Sequence, residues 1–126
     1  MRVKLLEKGY DAAVVTQLLD VLRGEKLLDD RRYVENFVAY HAARGQGPLR
    51  VRQDLRLHGL QGPLVEEFLD AYPDWIAQLQ KARLKKFGAQ LPENYADRQS
   101  QGRFLGYRGF TSAQIRRALG FDVDLD

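Results

Sequence analysis

The sequence predicts an all-α protein, an elongated and curved array of tandem three-helix repeats with a two-helix final copy and no β-sheet. Two observations predict this class. A short motif recurs at a fixed interval of 50 residues, which is typical of repeat architectures. In addition, no segment alternates apolar and polar residues over a useful length, as the strands of a sheet would. Stacked small modules offer long concave faces, which suit an extended partner better than a small substrate.

Three segments carry the recurring motif, at residues 5–10, 55–60 and 105–110. Each has a leucine, three residues that end in a basic or imidazole side chain, a glycine, and then a large apolar residue. The apolar positions downstream keep the same register, at Val15, Val65 and Ile115 and again at Leu19, Leu69 and Leu119. Agreement at this many positions indicates three copies of one structural unit.

Each copy of the motif predicts a tight helix–glycine–helix corner. The basic side chain suits the negative end of the first helix, and the glycine supplies the left-handed conformation that ends it. A second helix then begins at once, with Asp11 as N-cap in the first copy and Thr111 or Ser112 in the third. In the middle copy Pro63 suits the first helical turn.

A further helix follows the corner in the first two copies. After a break at Gly24, Asp29 or Asp30 is predicted to cap a helix that ends near Arg44. Its apolar positions have helical spacing, at Tyr33, Val34, Phe37, Val38 and His41. The second copy predicts a helix from Pro73–Asp74 to about Phe87, with an inner face of Trp75, Ile76, Leu79, Ala82 and Phe87.

Breaks at residues 45–48 and 91–94 separate the copies, because glycine, proline and asparagine interrupt the helical pattern there. The third copy is predicted to end after its second helix at about Leu119, ahead of a short acidic tail. We therefore expect repeats at residues 1–45, 46–91 and 92–126, the first of them N-terminally incomplete.

Composition favours a globular cytoplasmic protein, with 44% hydrophobic and 29% charged residues. The chain has no cysteine, which excludes a disulfide framework and a thiolate zinc site. No apolar run approaches the ~20 residues of a membrane-spanning helix, and residues 1–10 lack the apolar stretch of a secretory signal. We expect no association with a membrane.

Charge is unevenly distributed along the chain. The net charge is +3, but residues 78–117 carry nine basic and two acidic side chains, whereas residues 1–43 carry seven of each. A basic second half points to a polyanion or an acidic protein surface as the partner. The alternative is that these arginines and lysines only solvate exposed helix faces.

The residues give little support for catalysis. The sequence contains no phosphate-binding loop motif, and the glycines at 45–47 join two helices instead of a strand and a helix. Neither serine lies in a nucleophile-elbow context, and His41 and His58 suit a helix face and a helix C-terminus. The acidic pairs at 29–30 and 66–67 suit helix starts. We expect no enzyme activity, no cofactor and no metal.

Basic side chains recur at helical spacing in the second half. Arg52 and Arg56 lie one turn apart beside the apolar face of the helix that begins at Pro48, and Arg50 can pair with Asp54. Lys81 and Lys85 lie one turn apart on the outer face of the next long helix, and Arg83 has a long stem that can cover core surface. Such side chains can bind phosphates or acidic protein surfaces.

Three segments, LLDDRRYV at 27–34, GQGPLRVRQDL at 45–55 and RFLGYRGF at 103–110, agree in order and spacing with one known family. On these motifs and the threefold organisation from Leu5 to about Leu119, the chain resembles the RecX family of bacterial recombination regulators. Members of that family have a fuller first helix than Met1 to Lys8 provides.

The resemblance implies a protein that lodges in the helical groove of the RecA–DNA filament. It implies inhibition of the ATPase, strand-exchange and coprotease activities of RecA, by blocking filament extension or promoting disassembly. The expected partners are RecA and, as a further candidate, the single- or double-stranded DNA in the filament; we expect a monomer. A basic DNA-binding module that acts without RecA is the alternative. From charge and position, the candidate contacts are Arg50, Arg52, Arg56, Lys81, Lys85, Arg103, Arg108, Arg116 and Arg117.

Overall fold

The computed structural model describes residues 12–120, and this part of the chain contains six helices and no strand. The helices are α1 (Ala12–Ala43), α2 (Pro48–Leu57), α3 (Pro63–Ala71), α4 (Trp75–Phe87), α5 (Tyr95–Tyr107) and α6 (Ser112–Leu119). The predicted all-α class is therefore confirmed. The first copy of the motif, the Asp11 cap and the acidic tail lie outside the described residues. The chain divides into two compact units between Tyr33 and Val34.

In the first unit, the predicted break at Gly24 is wrong. Helix α1 continues through this glycine, so Asp29 and Asp30 lie inside a helix and cap nothing. A single interior glycine costs about 1 kcal/mol relative to alanine, which is too little to interrupt a helix flanked by good helix formers. Residues 25–28, Glu-Lys-Leu-Leu, are all of that kind.

Both described corners have the same hydrogen-bonded end. After α2, the Leu60 amide donates to the Leu55 carbonyl at 2.9 Å and the Gly59 amide donates to the Arg56 carbonyl at 2.9 Å. After α5, Phe110 donates to Leu105 and Gly109 donates to Gly106, at 3.1 and 3.0 Å. This is the Schellman arrangement, which requires a left-handed residue at the glycine, and φ is +82° at Gly59 and +101° at Gly109.

The predicted repeat register is confirmed by burial. Val15, Val65 and Ile115 are all buried, and so are Leu55 and Leu105 of the motif itself. Leu69 and Leu119 are also buried, while Leu19 is partly exposed. Apart from Leu19, these sites 50 residues apart thus have similar burial, as copies of one unit should.

Most predicted helix ends in the second unit are confirmed. Pro48 and Pro63 each occupy the first turn of a helix, where the missing amide hydrogen has no helical partner to lose. Helix α6 is capped by Thr111, whose hydroxyl accepts from the Gln114 amide while the Gln114 side chain accepts from the Thr111 amide. This reciprocal pair is a capping box.

One core runs through the second unit, where α2 packs on α3, and α4 packs on α5 and α6. The inner face predicted for the end of α1 is correct at Val34 and Val38, which are buried. Tyr33, however, is 44% exposed, and Ala42, which the prediction did not include, is buried. The Trp75 indole nitrogen donates to the Leu69 carbonyl at 2.9 Å, which satisfies its one polar group inside the core.

Candidate partner-binding surfaces

The loop between α1 and α2 is hydrogen-bonded to the corner after α5. The Gly47 amide donates to the Arg108 carbonyl at 2.7 Å, and the Leu49 amide donates to the Gly109 carbonyl at 2.9 Å. The backbones are so close that a Cβ on Gly47 would lie 2.3 Å from the Gly109 carbonyl carbon. The glycines of the GQGP and GYRGF segments therefore permit two chain segments to touch.

The Arg108 side chain strengthens this contact. Its Nε donates to the Gly45 carbonyl at 3.0 Å, and its Nη2 donates to the Arg44 carbonyl at 2.7 Å. These carbonyls follow the last turn of α1, where helices leave acceptors unpaired. Two of the five guanidinium donors are used in this way, so the structure places Arg108 in an intramolecular role as well as at the surface.

Arg108 also borders an open groove of about 490 Å³. The groove lies among the end of α1, the outer side of α4 and the end of α5, and we call it the basic groove. Its lining residues are Ala43, Arg44, Gly45, Gln78, Lys81, Ala82, Lys85, Lys86, Phe104 and Arg108. Five of these ten are cationic and none is acidic. The structure thus brings together three predicted contacts from different parts of the chain: Lys81, Lys85 and Arg108.

A second surface surrounds the corner after α5, where two adjoining grooves of about 580 and 530 Å³ share Leu49, Gly106 and Tyr107. Arg103 lines the first groove, and Arg50 and Leu57 line the second. We call these six residues the corner surface. Leu57 and Tyr107 are each 79% exposed and lie 50 residues apart, so they are the same position of two repeats.

The remaining predicted contacts line neither surface. Arg52 pairs with Glu66 at the start of α3, with Nε 2.9 Å from Oε1, so this arginine joins two helices of its own chain. Arg50, which belongs to the corner surface, also pairs weakly with Asp54, as its spacing predicts, at 3.9 Å. Arg56, Arg116 and Arg117 are exposed on α2 and α6.

Several residues of these surfaces are absent from the predicted set. Arg44 and Lys86 complete the basic groove, and Leu49, Leu57 and Tyr107 give the corner surface its apolar part. The equivalence of Leu57 and Tyr107 is a signal that the sequence contains, because both stand two residues before a motif glycine. No comparable signal exists for Arg44, which joins the groove only through tertiary contact.

The chemistry available at these surfaces is hydrogen-bond donation and charge. Among residues 12–120, no group of three histidine or acidic side chains could hold a metal ion. Both histidines pack against Phe37, with ring centroids 4.0 Å away for His41 and 5.7 Å away for His58. In the same range of residues, no helix has the length and apolarity needed to cross a bilayer.

Comparison with known proteins adds two family-model matches. Residues 29–69 match "RecX, second three-helix domain", and residues 74–119 match "RecX, third three-helix domain". Each match begins with a helix and ends with the helix–glycine–helix corner that follows it. Each expected repeat, in contrast, begins with the corner.

Curated relatives match over nearly the whole chain. "Regulatory protein RecX" of Halorhodospira halophila is 41% identical over 116 residues, which cover 91% of this chain and 72% of the relative. The protein of the same name from Pseudomonas fluorescens SBW25 is 41% identical over 123 residues, or 96% of this chain and 79% of the relative. That of Ectopseudomonas mendocina is 39% identical over 117 residues, or 92% and 78%.

Proposed function

The chain belongs to the RecX family of regulatory proteins, and from this membership we propose that it is a non-enzymatic regulator of the RecA recombinase. It binds in the helical groove of the RecA–DNA filament. Binding lowers the ATPase, strand-exchange and coprotease activities of RecA, because the bound protein blocks filament extension or promotes disassembly. It acts as a monomer in the cytoplasm.

The corner surface supports a protein partner. It combines exposed apolar side chains, Leu49, Leu57 and Tyr107, with arginines on either side, Arg50 and Arg103. Protein interfaces are enriched in tyrosine and arginine, and a few such residues supply most of the binding energy. Charge-driven contact with phosphates does not require exposed apolar side chains of this kind. We therefore assign RecA contact to the corner surface.

A basic DNA-binding module that acts without RecA is the second candidate. The basic groove favours it, because five cations without a carboxylate among the lining residues suit phosphates. The two functions differ in what they bind. The regulator binds assembled filament tightly, whereas the independent module binds bare DNA with an affinity that falls steeply as salt rises.

The deciding measurement is the DNA-dependent ATPase of RecA, on nascent and on preformed filaments, with and without stoichiometric protein. Inhibition of nascent filaments alone indicates blocked extension, and inhibition of both indicates disassembly. An unchanged ATPase in both cases contradicts the proposal.

Tyr107→Ala should weaken inhibition about five- to thirtyfold, since truncating a central interface tyrosine costs about 1–2 kcal/mol. Tyr95→Ala is the matched control, because Tyr95 lies on the same helix, is 72% exposed and lines neither surface. Equal inhibition by the Tyr107 variant and the wild-type protein would remove the corner surface from the site.

A further inference from the structure

The basic groove brings five cations together without an acidic lining residue. Elsewhere, Arg50 faces Asp54 and Arg52 faces Glu66. In the groove, Lys81 and Lys85 form no ion pair or hydrogen bond with any residue from 12 to 120. They lie one turn apart on α4, where like charges weaken a helix. This arrangement is unfavourable for the isolated fold and becomes favourable when an anion binds.

The groove is also prearranged for an anion. Arg108 is held by its hydrogen bonds to the carbonyls of Arg44 and Gly45, so its guanidinium is fixed before any ligand arrives. Gly45 leaves the room for it, since a Cβ there would lie 3.0 Å from the Arg108 Nη2. Lys86 lies over the Phe104 ring, with its Nζ 5.8 Å from the ring centroid. Fixed donors lose less entropy on binding than free side chains do.

The absence of acidic lining residues identifies the class of ligand. Electrostatic complementarity matches a positive patch to a negative one, so the groove favours a ligand that is anionic throughout. A phosphodiester chain presents one negative charge per nucleotide, at about 3.4 Å of rise per strand. From Lys81 to Lys86 the axis of α4 rises about 7.5 Å, which is the rise of about two nucleotides.

We propose that the basic groove binds the sugar–phosphate backbone of the DNA carried by the filament, with Lys81, Lys85, Lys86, Arg44 and Arg108 contacting phosphates. This inference rests on the proposed function for its setting, since the corner surface then contacts RecA protein while the groove contacts its DNA. Contacts of this kind read charge and leave the base sequence unread.

The test is a titration of a fluorescein-labelled oligothymidylate with the full chain, without RecA, at several salt concentrations. Lys81→Gln/Lys85→Gln should bind about tenfold more weakly at low salt, and the slope of log affinity against log salt should fall by about 1.4, for two lost phosphate contacts on a single strand. Glutamine preserves helix propensity, and circular dichroism checks the fold. Lys26→Gln/Arg32→Gln is the matched control, which removes two exposed charges from α1 outside the groove.

Three further outcomes are decisive. Equal affinity and slope in the groove variant and the wild-type protein would overturn the inference, whatever happens to RecA. An equal loss of affinity for poly-L-glutamate would also overturn it, because the groove would then recognise negative charge of any kind. Wild-type protein that leaves the RecA ATPase unchanged would end the proposed function, while the oligonucleotide titration would still decide whether the groove binds DNA. A parallel titration with duplex DNA shows whether the groove binds single-stranded or double-stranded DNA more tightly.

Discussion

At the scale of single residues, two arginines of the second unit donate to backbone carbonyls where the chain turns. Arg108 contacts the carbonyls after α1, and Arg83, which is only 5% exposed, donates to the carbonyls of Gly88 and Gln90 after α4. A guanidinium can reach two acceptors at once because its donors form a planar fork. An arginine of this sequence can therefore stabilise the fold itself, independently of any partner.

Arg108→Ala should lower the free energy of unfolding by about 1.5–3 kcal/mol, the contribution of hydrogen bonds that involve a charged group. The midpoint of urea denaturation measures this loss, and the slope should stay unchanged. Arg103→Ala is the control, since Arg103 is exposed on α5, the helix that ends just before Arg108. If the two variants had the same midpoint, the contacts of Arg108 to α1 would contribute nothing to stability.

The sequence could not distinguish an arginine that stabilises the fold from one that contacts a partner. It predicted Arg108 as a partner contact from charge and position, and the structure does place it in the basic groove. Its carbonyl partners, however, lie 63 and 64 residues away, and a side chain that contacts backbone leaves no residue pattern to read. The partner of Arg52 is a side chain, the Glu66 carboxylate, but it lies on a different helix, so the sequence does not indicate that pair either.

At the scale of helices, two glycines differ in whether the structure requires them. Gly24 lies inside α1, and a Cβ added there would have no neighbouring atom within 4 Å, whereas Gly47 touches the backbone of Gly109 and Phe110. The backbone at Gly47 has a φ of −87°, which alanine also adopts, so its constraint is purely one of space.

Gly24→Ala should therefore stabilise α1 by about 0.5–1 kcal/mol, because alanine loses less backbone entropy in a helix. Gly47→Ala should destabilise the protein by about 1–3 kcal/mol or more, the usual cost of overpacking, since backbone cannot move aside as a side chain can. Thermal denaturation followed by circular dichroism compares the two. A stabilised Gly47 variant would contradict the close contact between the loop and the corner.

The same contrast explains which helices could be predicted. Helix starts at Pro48, Pro63 and Thr111 follow from local chemistry, and the structure has them where the sequence indicates. The break at Gly24 was inferred from the same kind of local signal, but the residues after it favour a helix strongly enough to continue α1.

At the scale of the molecule, the sequence predicts the repeated core positions better than it predicts the grooves. The 50-residue register is visible in the sequence because equivalent core positions need equivalent residues. The basic groove joins residues 43–45, 78–86 and 104–108, and nothing in the sequence indicates that these segments meet. Charge and position in the sequence predict only three of the five cations that line the groove.

The basic groove and the corner surface share no lining residue, although Tyr107 and Arg108 are neighbours in sequence. Combining Tyr107→Ala with Lys81→Gln/Lys85→Gln should therefore reduce affinity for RecA filament by the product of the separate factors, since independent contacts add in free energy. Binding to immobilised filament at fixed salt measures this. A combined loss no larger than either separate loss would mean that both surfaces form one coupled site.

The contact between the α1–α2 loop and the corner after α5 has a consequence for how the second unit comes apart. Linear repeat arrays ordinarily fray from an end, because each copy holds only its neighbour. Here the two ends of the stretch from α2 to α5 are hydrogen-bonded to each other, through the α1–α2 loop and the corner after α5. Partial opening of either end must first break these hydrogen bonds, so we expect the second unit to unfold in a single cooperative transition.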